Sequence, residues 1–455
     1  MGLSPSLAME SPAGRSPAAA PLAGGRQAAE RRLAAIDPAR YGDTRNHLEG
    51  AVTRLSPYIR HGVLTLAEVR EAVFARLRRR SPAAPIALQG ELFGAEAAAA
   101  AWSPAQRRAG EKLIAELGWR DYWQRLWRQL GDGIWHDREP LRTGHPPQAY
   151  APALPGDIAA AATGLACIDG FAAELTGTGW LHNHARLWLA AYVVHWRRVR
   201  WQAGARWFLQ HLLDGDPASN NLSWQWVASS FSHKPYIFNR ANLERFSSGR
   251  YCTGCPRALA GCPFEASYEE LQARLFRPSD PCADAAPPPP RGPVPPAPPA
   301  AGPPLRRPLV WVHGEALGPA NPALRAHPGA RALFVFDAEL IAGRTATTGG
   351  PLAPGRLQFL RQCLAELPLS VREGDVAAEL LAAATAAGAD GIVTSRAVDP
   401  RFAVIAAQLA AALPLQVLEP EPFVDLPFTG PGAPDLRRFS RYWRRAEPLL
   451  WREAS

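Results

Sequence analysis

Two groups of residues in this 455-residue chain have types and spacings suited to chemistry. The first is the run from Trp180 to Trp226, which sets seven Trp around Arg186, Asp214, Asp216 and Asn220. A buried indole N–H needs a partner, so this density of Trp beside charge exceeds what filling a core requires. Within the run, DGDPASNN reads as a polar turn between two helical stretches, where Asp and Asn side chains can bond backbone or ligand. A Trp-rich helical core is the plainer alternative, and it leaves that turn unexplained. The second group is YCTGCPRALAGCPF, in which Cys252, Cys255 and Cys262 form C-x2-C-x6-C-P. In a reducing compartment such thiols suit zinc or an iron–sulfur cluster better than disulfides, because thiolates are soft ligands. Three thiols leave a fourth ligand to be found. Cys282 falls in a Pro-rich stretch and Cys363 on an amphipathic helix, so both read as incidental or core.

The elements that must hold these groups follow from composition. Residues 1–28 are Ala/Pro/Gly-rich without periodicity and read as a disordered leader. Residues 29–278 carry long apolar-aromatic segments at helical spacing, as in ARWFLQHLL, and predict a mainly helical domain. Residues 279–307 hold so much Pro that they predict a stiff, extended linker. Beyond them PLVWVHG, ARALFVFD, LSVREGD, GIVTS and LPLQVLE are short β-branched runs separated by helical stretches. That alternation predicts a doubly wound parallel sheet over 308–425, followed by a helical tail over 426–455. The expected fold class is therefore multi-domain, an all-α domain followed by an α/β domain, each with its own core.

The net charge is +9, and Lys112 and Lys234 are the only lysines. A basic balance admits nucleic acid as a partner without requiring it. No run of 18 apolar residues and no signal-peptide core occurs, which predicts a cytoplasmic protein with no membrane partner, expected to be monomeric.

Thr163-Gly164 with Asp169, Gly179 to Arg186, and Asp214 to Trp226 match the pattern TGxxxxD, GWxHNxxR, DGDxAxNNxxWQW over more than sixty residues. In this the chain resembles the flavin-binding helical domain of the cryptochrome/photolyase superfamily. Upstream, RNHLEGAVTRLSPYIRHGVL resembles the family's TSRLSPYL turn, and AELGWRDYW its E-L-x-W-R-E. The resemblance implies FAD held by Tyr41, Arg45, Thr53, Arg54, Leu55, Ser56, Arg120, Arg186, Asp214, Asp216 and Asn220. A helix start with free N–H groups at Thr53–Ser56 suits its pyrophosphate. Asn220 falls where the family faces flavin N5, while a helix cap is its structural alternative. Trp224 and Trp201 fall on two positions of the family's electron-transfer chain, with Tyr150 the nearest aromatic for the third. Trp188, Trp196 and Trp207 read as core aromatics.

Glu116, Trp119 and Asn183 fall where repair enzymes of the family meet a pyrimidine dimer, and Leu187 stands where they usually carry Met. His182 and His184, beside Asn183, read as surface or cap residues. The implied activity is light-driven repair of pyrimidine dimers in damaged DNA, with the dimer flipped from the duplex into the cavity. A blue-light photoreceptor or redox protein without repair is the alternative.

TGLAC and KPYIFNRANLERFSSGRYC resemble the iron–sulfur bacterial branch of the same superfamily, which implies a [4Fe-4S] cluster on Cys167, Cys252, Cys255 and Cys262. Zinc or free thiols remain the other readings. The second half resembles the superfamily's α/β antenna domain through LVWVHGEALGPANPAL, the FVFD strand and the VREGD turn. In the family that domain comes first; here it follows, so the chain reads as permuted. HGEALG from His313 to Gly318 replaces the family's charged FRxDLR, an expected weakening at the domain interface that leaves an antenna chromophore open.

Overall fold

The computed structural model describes residues 21–79, 102–259, 261–277 and 304–453. Most of the expected leader, most of the Pro-rich linker, and Cys282 lie outside the described residues.

The first half is helical, as its periodicity predicts. It opens with α1 (Arg26–Ala34), α2 (Pro38–Thr44), α3 (Ser56–Arg60) and α4 (Leu66–Arg79), followed by the long α5 (Pro104–Leu130). Next come α6 (Gly156–Ala159), α7 (Ala166–Thr178), α8 (Asn183–Ala191), α9 (Trp201–His211), α10 (Pro217–Ala228), α11 (Arg240–Ser247) and α12 (Tyr268–Leu275). Their starts are written locally. Ser103 and Gln106 form a capping box ahead of α5 with Pro104 at its first turn, and Asp216 caps α10 ahead of Pro217. Because α1 starts at Arg26 and Leu22 is buried, the last residues of the segment read as a leader pack with the helical half.

The second half is a five-stranded parallel sheet in the order β3-β2-β1-β4-β5. Its strands are β1 (Leu309–Val312), β2 (Ala332–Asp337), β3 (Ser370–Gly374), β4 (Ile392–Ser395) and β5 (Leu415–Leu418). Helices α13 (Pro322–Ala326), α14 (Ala338–Ile341), α15 (Pro354–Leu364), α16 (Val376–Ala387) and α17 (Pro400–Ala412) connect them. Each run of β-branched residues in the sequence became one strand, and β1 and β4 are buried throughout, as central parallel strands must be.

The two halves do not keep separate cores. Val310, Val312, Phe334 and Phe336 on one face of the sheet join a single apolar cluster with Leu55, Tyr58, Phe74 and Leu113 of the helical half. The opposite face packs under α16 and α17, and α7 to α10 enclose a third cluster. The C-terminal helix α18 (Phe439–Glu453) is not a detached tail: Tyr442, Leu450 and Trp451 are buried in the first cluster. A Cβ on Gly118 of α5 would meet the Trp443 ring at 2.1 Å, so glycine is what lets α18 lie this close.

Segment His313–Gly318, where charge loss predicted a weakened interface, instead supplies it. Glu315 pairs with Arg60 at 2.8 Å, and Leu317 N–H donates to the His61 carbonyl at 2.8 Å.

Candidate functional site

The DGD turn lies between α9 and α10, where its two carboxylates point to different partners. Arg186 on α8 donates through one nitrogen to both oxygens of Asp214, at 2.9 and 3.1 Å, and through Nε to the Leu181 carbonyl at 2.8 Å. Asp214 is 4 % exposed and Arg186 24 %, so the pair is compensated rather than an isolated buried charge. Asp216 caps α10, accepting from Ser219 N–H at 3.1 Å and its hydroxyl at 2.5 Å. Gln124 donates to it at 2.9 and 3.0 Å, and Arg120 stands 3.6 Å away. Burial pushes the Asp216 carboxyl up, but Arg120, Arg60 and Ser219 outweigh it and hold the group below the usual carboxylate range. The Arg120 pKa is lowered as well, by its own burial against the pull of Asp216.

Asn220 does not cap α10, because Asp216 holds that position. It lies in the first turns and donates to the Ala205 carbonyl on α9 at 3.0 Å. The neighbouring Asn221 is fully buried, its amide nitrogen without a hydrogen-bond partner among the described residues. His182 is not a surface residue either: it caps α8, its Nδ1 accepting from His184 N–H at 3.1 Å, and burial pushes its pKa down to about 4. Arg54 adopts a left-handed φ of 52° and lays its guanidinium 4.3 Å from the Trp180 ring centre. Thr53 accepts from Leu55 N–H at 3.3 Å just before α3, whose start has no side-chain cap. The unpartnered Asn221 amide, an uncapped helix start and four arginines (Arg45, Arg54, Arg120 and Arg186) form a donor set that fits a large anionic cofactor with polar edges, as FAD is.

Residues expected to meet a lesion are less open than the motif implies. Glu116 is engaged by Arg45 at 3.2 Å, with Tyr41 close enough for the carboxylate to help raise its pKa above the phenol range. Packing pushes the Glu116 pKa up; Arg45 and the water reaching its 41 % exposed side chain oppose that shift. Trp119 has one ring face covered by Phe439 of α18, the ring centres 3.8 Å apart and 9° from parallel. Asn183 is exposed at the first position of α8, and Leu187 follows one turn later on that helix.

Trp224 and Trp201 are both 2 % exposed. Trp224 presses on Gly204 of α9, one turn from Trp201, and a Cβ there would stand 2.2 Å from its ring. Trp201 donates its N–H to Asp137 at 2.6 Å. Tyr150 is buried with its hydroxyl on Thr143 at 2.7 Å. Trp135, which sequence reading missed, lies 8° from parallel to Trp201 at 6.5 Å between centres, partly exposed under the Arg206 guanidinium. It sits on a 3-10 turn after α5, where no periodicity marks it. Trp188 and Trp207 are core residues, as read.

Cys167 on α7 and Cys252, Cys255 and Cys262 together line one small cavity closed by Leu165, Leu243, Tyr251 and Phe264, with Arg240 at its edge. Asp169 holds the turn ahead of Cys167, accepting from Thr163 and Gly164 N–H groups at 2.8 and 3.0 Å. All four thiols are free, and burial raises those of Cys167, Cys252 (to about 11) and Cys262. Among the described residues no three His, Cys, Asp or Glu side chains are gathered to hold one ion. Four thiols lining one cavity are a ligand set known for both zinc and a [4Fe-4S] cluster.

A second cavity, of about 840 Å³, opens between the halves, lined by Trp135, Arg200, Arg206, Thr345, Thr347 and Arg401 among others.

Residues 113–251 match the family model for the FAD binding domain of DNA photolyase. The chain is 30% identical over 196 residues to the deoxyribodipyrimidine photo-lyase of Streptomyces griseus, covering 42% of this chain and 35% of that one. It is 41% identical over 80 residues to that of Escherichia coli, covering 17% of each. The chain thus spans about a third or less of the length of these curated relatives. Among solved structures it is similar to a Synechocystis cryptochrome, at 20% identity and a TM-score of 0.40 over 56% of this chain and 51% of that one. No helix among the described residues is long and apolar enough to cross a membrane.

Proposed function

We propose that this chain is a light-driven electron-transfer flavoprotein that repairs pyrimidine dimers in DNA, a reading supported by the match of residues 113–251 to the FAD binding domain of DNA photolyase. The observation that carries the reading is the part-buried Arg186–Asp214 pair and the helix-capping Asp216 on one turn, with the buried Asn221 amide left unpartnered among the described residues. Bound FAD would supply, in its reduced form, the photoexcitable electron donor. The protein's part is positional. Arg186 with Asp214 and Arg120 with Asp216 would supply fixed charges to bound FAD, and Thr53 to Ser56 would offer N–H and hydroxyl donors to its phosphates. Trp224, Trp201 and Trp135 would serve as electron carriers between the surface and the cofactor. Glu116 bonds the pyrimidine edge and stabilises the charge that develops there, once Arg45 yields to substrate.

Cys167, Cys252, Cys255 and Cys262 would hold a [4Fe-4S] cluster as thiolates. The cavity between the halves, with an indole and three guanidiniums, suits a second planar anionic chromophore.

The first test is the absorption spectrum of anaerobically purified protein, then a light-dependent assay on dimer-containing DNA. Flavin and cluster bands, with repair lost in Glu116→Ala while FAD is retained, support the reading; a colourless protein from a flavin- and iron-replete host overturns it. One observation favours the photoreceptor alternative, namely Phe439 over Trp119. FAD photoreduction without any repair in the wild type would decide for it.

A further inference from the structure

The backbone of the DGD turn is held by the other half of the molecule. Gly215, between the two flavin-site aspartates, accepts at its carbonyl from Arg60 Nε at 3.1 Å and from Arg356 Nη2 at 3.1 Å. The second nitrogen of Arg356 bonds the Leu209 carbonyl, one of the last carbonyls of α9 and so without an intrahelical partner. Arg356 is 8 % exposed and makes no ion pair with any described carboxylate. It occupies the first turn of α15, where a positive charge opposes the helix dipole, so its own helix does not account for it. A Cβ at residue 215 would stand 2.8 Å from Arg356 Nη1, so only glycine lets the guanidinium seat on this turn. The adjoining carbonyl of Leu213 faces His61 Nε2 at 2.9 Å, and the same ring reaches Gly314 of the sheet domain through Nδ1 at 2.8 Å.

We propose that Arg356 is a positioning residue for the flavin: from the α/β domain it fixes the carbonyls of Leu209 and Gly215, so that Asp214 and Asp216 are presented to the cofactor in one geometry. The inference rests on the FAD reading above. It makes the sheet domain a part of the flavin site rather than a neighbour of it, and the site complete only when the halves are docked. Removing the guanidinium leaves the buried Leu209 carbonyl unsatisfied and the Gly215 carbonyl held by Arg60 alone, which loosens the turn, so that FAD binding itself must order it.

The test uses the full-length chain with FAD as the titrant. Arg356→Met is expected to weaken FAD binding roughly 10- to 100-fold, the loss typical of charged hydrogen bonds. Arg356→Lys, which keeps the charge but cannot span both carbonyls, should recover only part of it, and Arg361→Met on the same helix should change nothing. A merely structural role would lower the unfolding temperature of apo and FAD-loaded protein alike; the latch instead shrinks the rise in unfolding temperature that FAD induces. Should Arg356→Met fail to fold, the Lys variant decides by the same two readouts. Wild type that binds FAD beside an Arg356 variant of unchanged affinity and unchanged FAD-induced shift overturns the latch alone. Wild type that takes no FAD overturns the flavin reading with it.

Discussion

Gly204 gives a direct check on how closely Trp224 is packed. An ideal Cβ there would lie 2.2, 2.5 and 2.9 Å from three carbons of the Trp224 ring. Ordinary carbon contacts fall at about 3.5–4.0 Å, so in Gly204→Ala the indole must retreat by roughly 1 Å or α9 and α10 must part. Such overpacking costs about 1–3 kcal/mol. Against it stands the intrinsic gain of Ala over Gly inside a helix, about 0.5–1 kcal/mol. Gly177 of α7 has nothing within 4 Å of its would-be Cβ, so Gly177→Ala reports that gain by itself. The difference between the two variants in urea unfolding, read as a midpoint shift at constant slope, should therefore be about 1–3 kcal/mol, with Gly204→Ala the less stable. If Trp224 carries electrons to the flavin, Gly204→Ala should also slow photoreduction. Equal stabilisation in both variants would mean that Trp224 does not press on α9, and the packing argument would fail.

Asp214→Asn strips Arg186 of its countercharge; with Arg186 24 % exposed, the cost should be about 1–3 kcal/mol rather than that of a fully buried pair, measured by thermal unfolding alongside FAD retention. His195, pushed down to about 4 by burial, stays neutral in the folded chain. The unfolded ring titrates near 6.5, so the contribution is complete above that pH and is lost as pH falls, by about 2 kcal/mol at pH 5. A urea midpoint that stays level or rises between pH 7 and pH 5 would contradict this. Cys255→Ser should abolish iron retention, read by iron assay and absorbance, without a matching gain of zinc.

The sequence is most legible where structure is written locally. LVWV, ALFVFD, SVREG, IVTS and LQVL became the five strands because their β-branched periodicity and flanking turns lie within a few residues of each other. Arg186, Asp214 and Asp216 could be named because one run of the chain carries all three. Arg356, Phe439 and Trp135 could not, since what they touch (Gly215, Trp119 and Trp201) lies 64 or more residues away in sequence on other elements. Two local expectations erred for the same reason. Asn220 was open to reading as a cap because the claim of Asp216 on Ser219 is geometric, and HGEALG read as a weakened interface because Arg60 and His61, its partners, lie some 250 residues earlier.

The burial of α18 against α4 and α5 has a consequence for how the chain comes into being. Phe74, the ring of which meets Trp451 at 5.1 Å, leaves the ribosome long before its partner exists. At about 5–20 residues per second, the interval between Arg277, where the first half ends, and Trp451 is roughly 10–35 s. Throughout it the helical half carries an uncovered apolar face along α4 and α5, and it closes only when the last helix arrives. The order of elements along this chain therefore leaves the apolar face of α4 and α5 without its cover until α18 has been made.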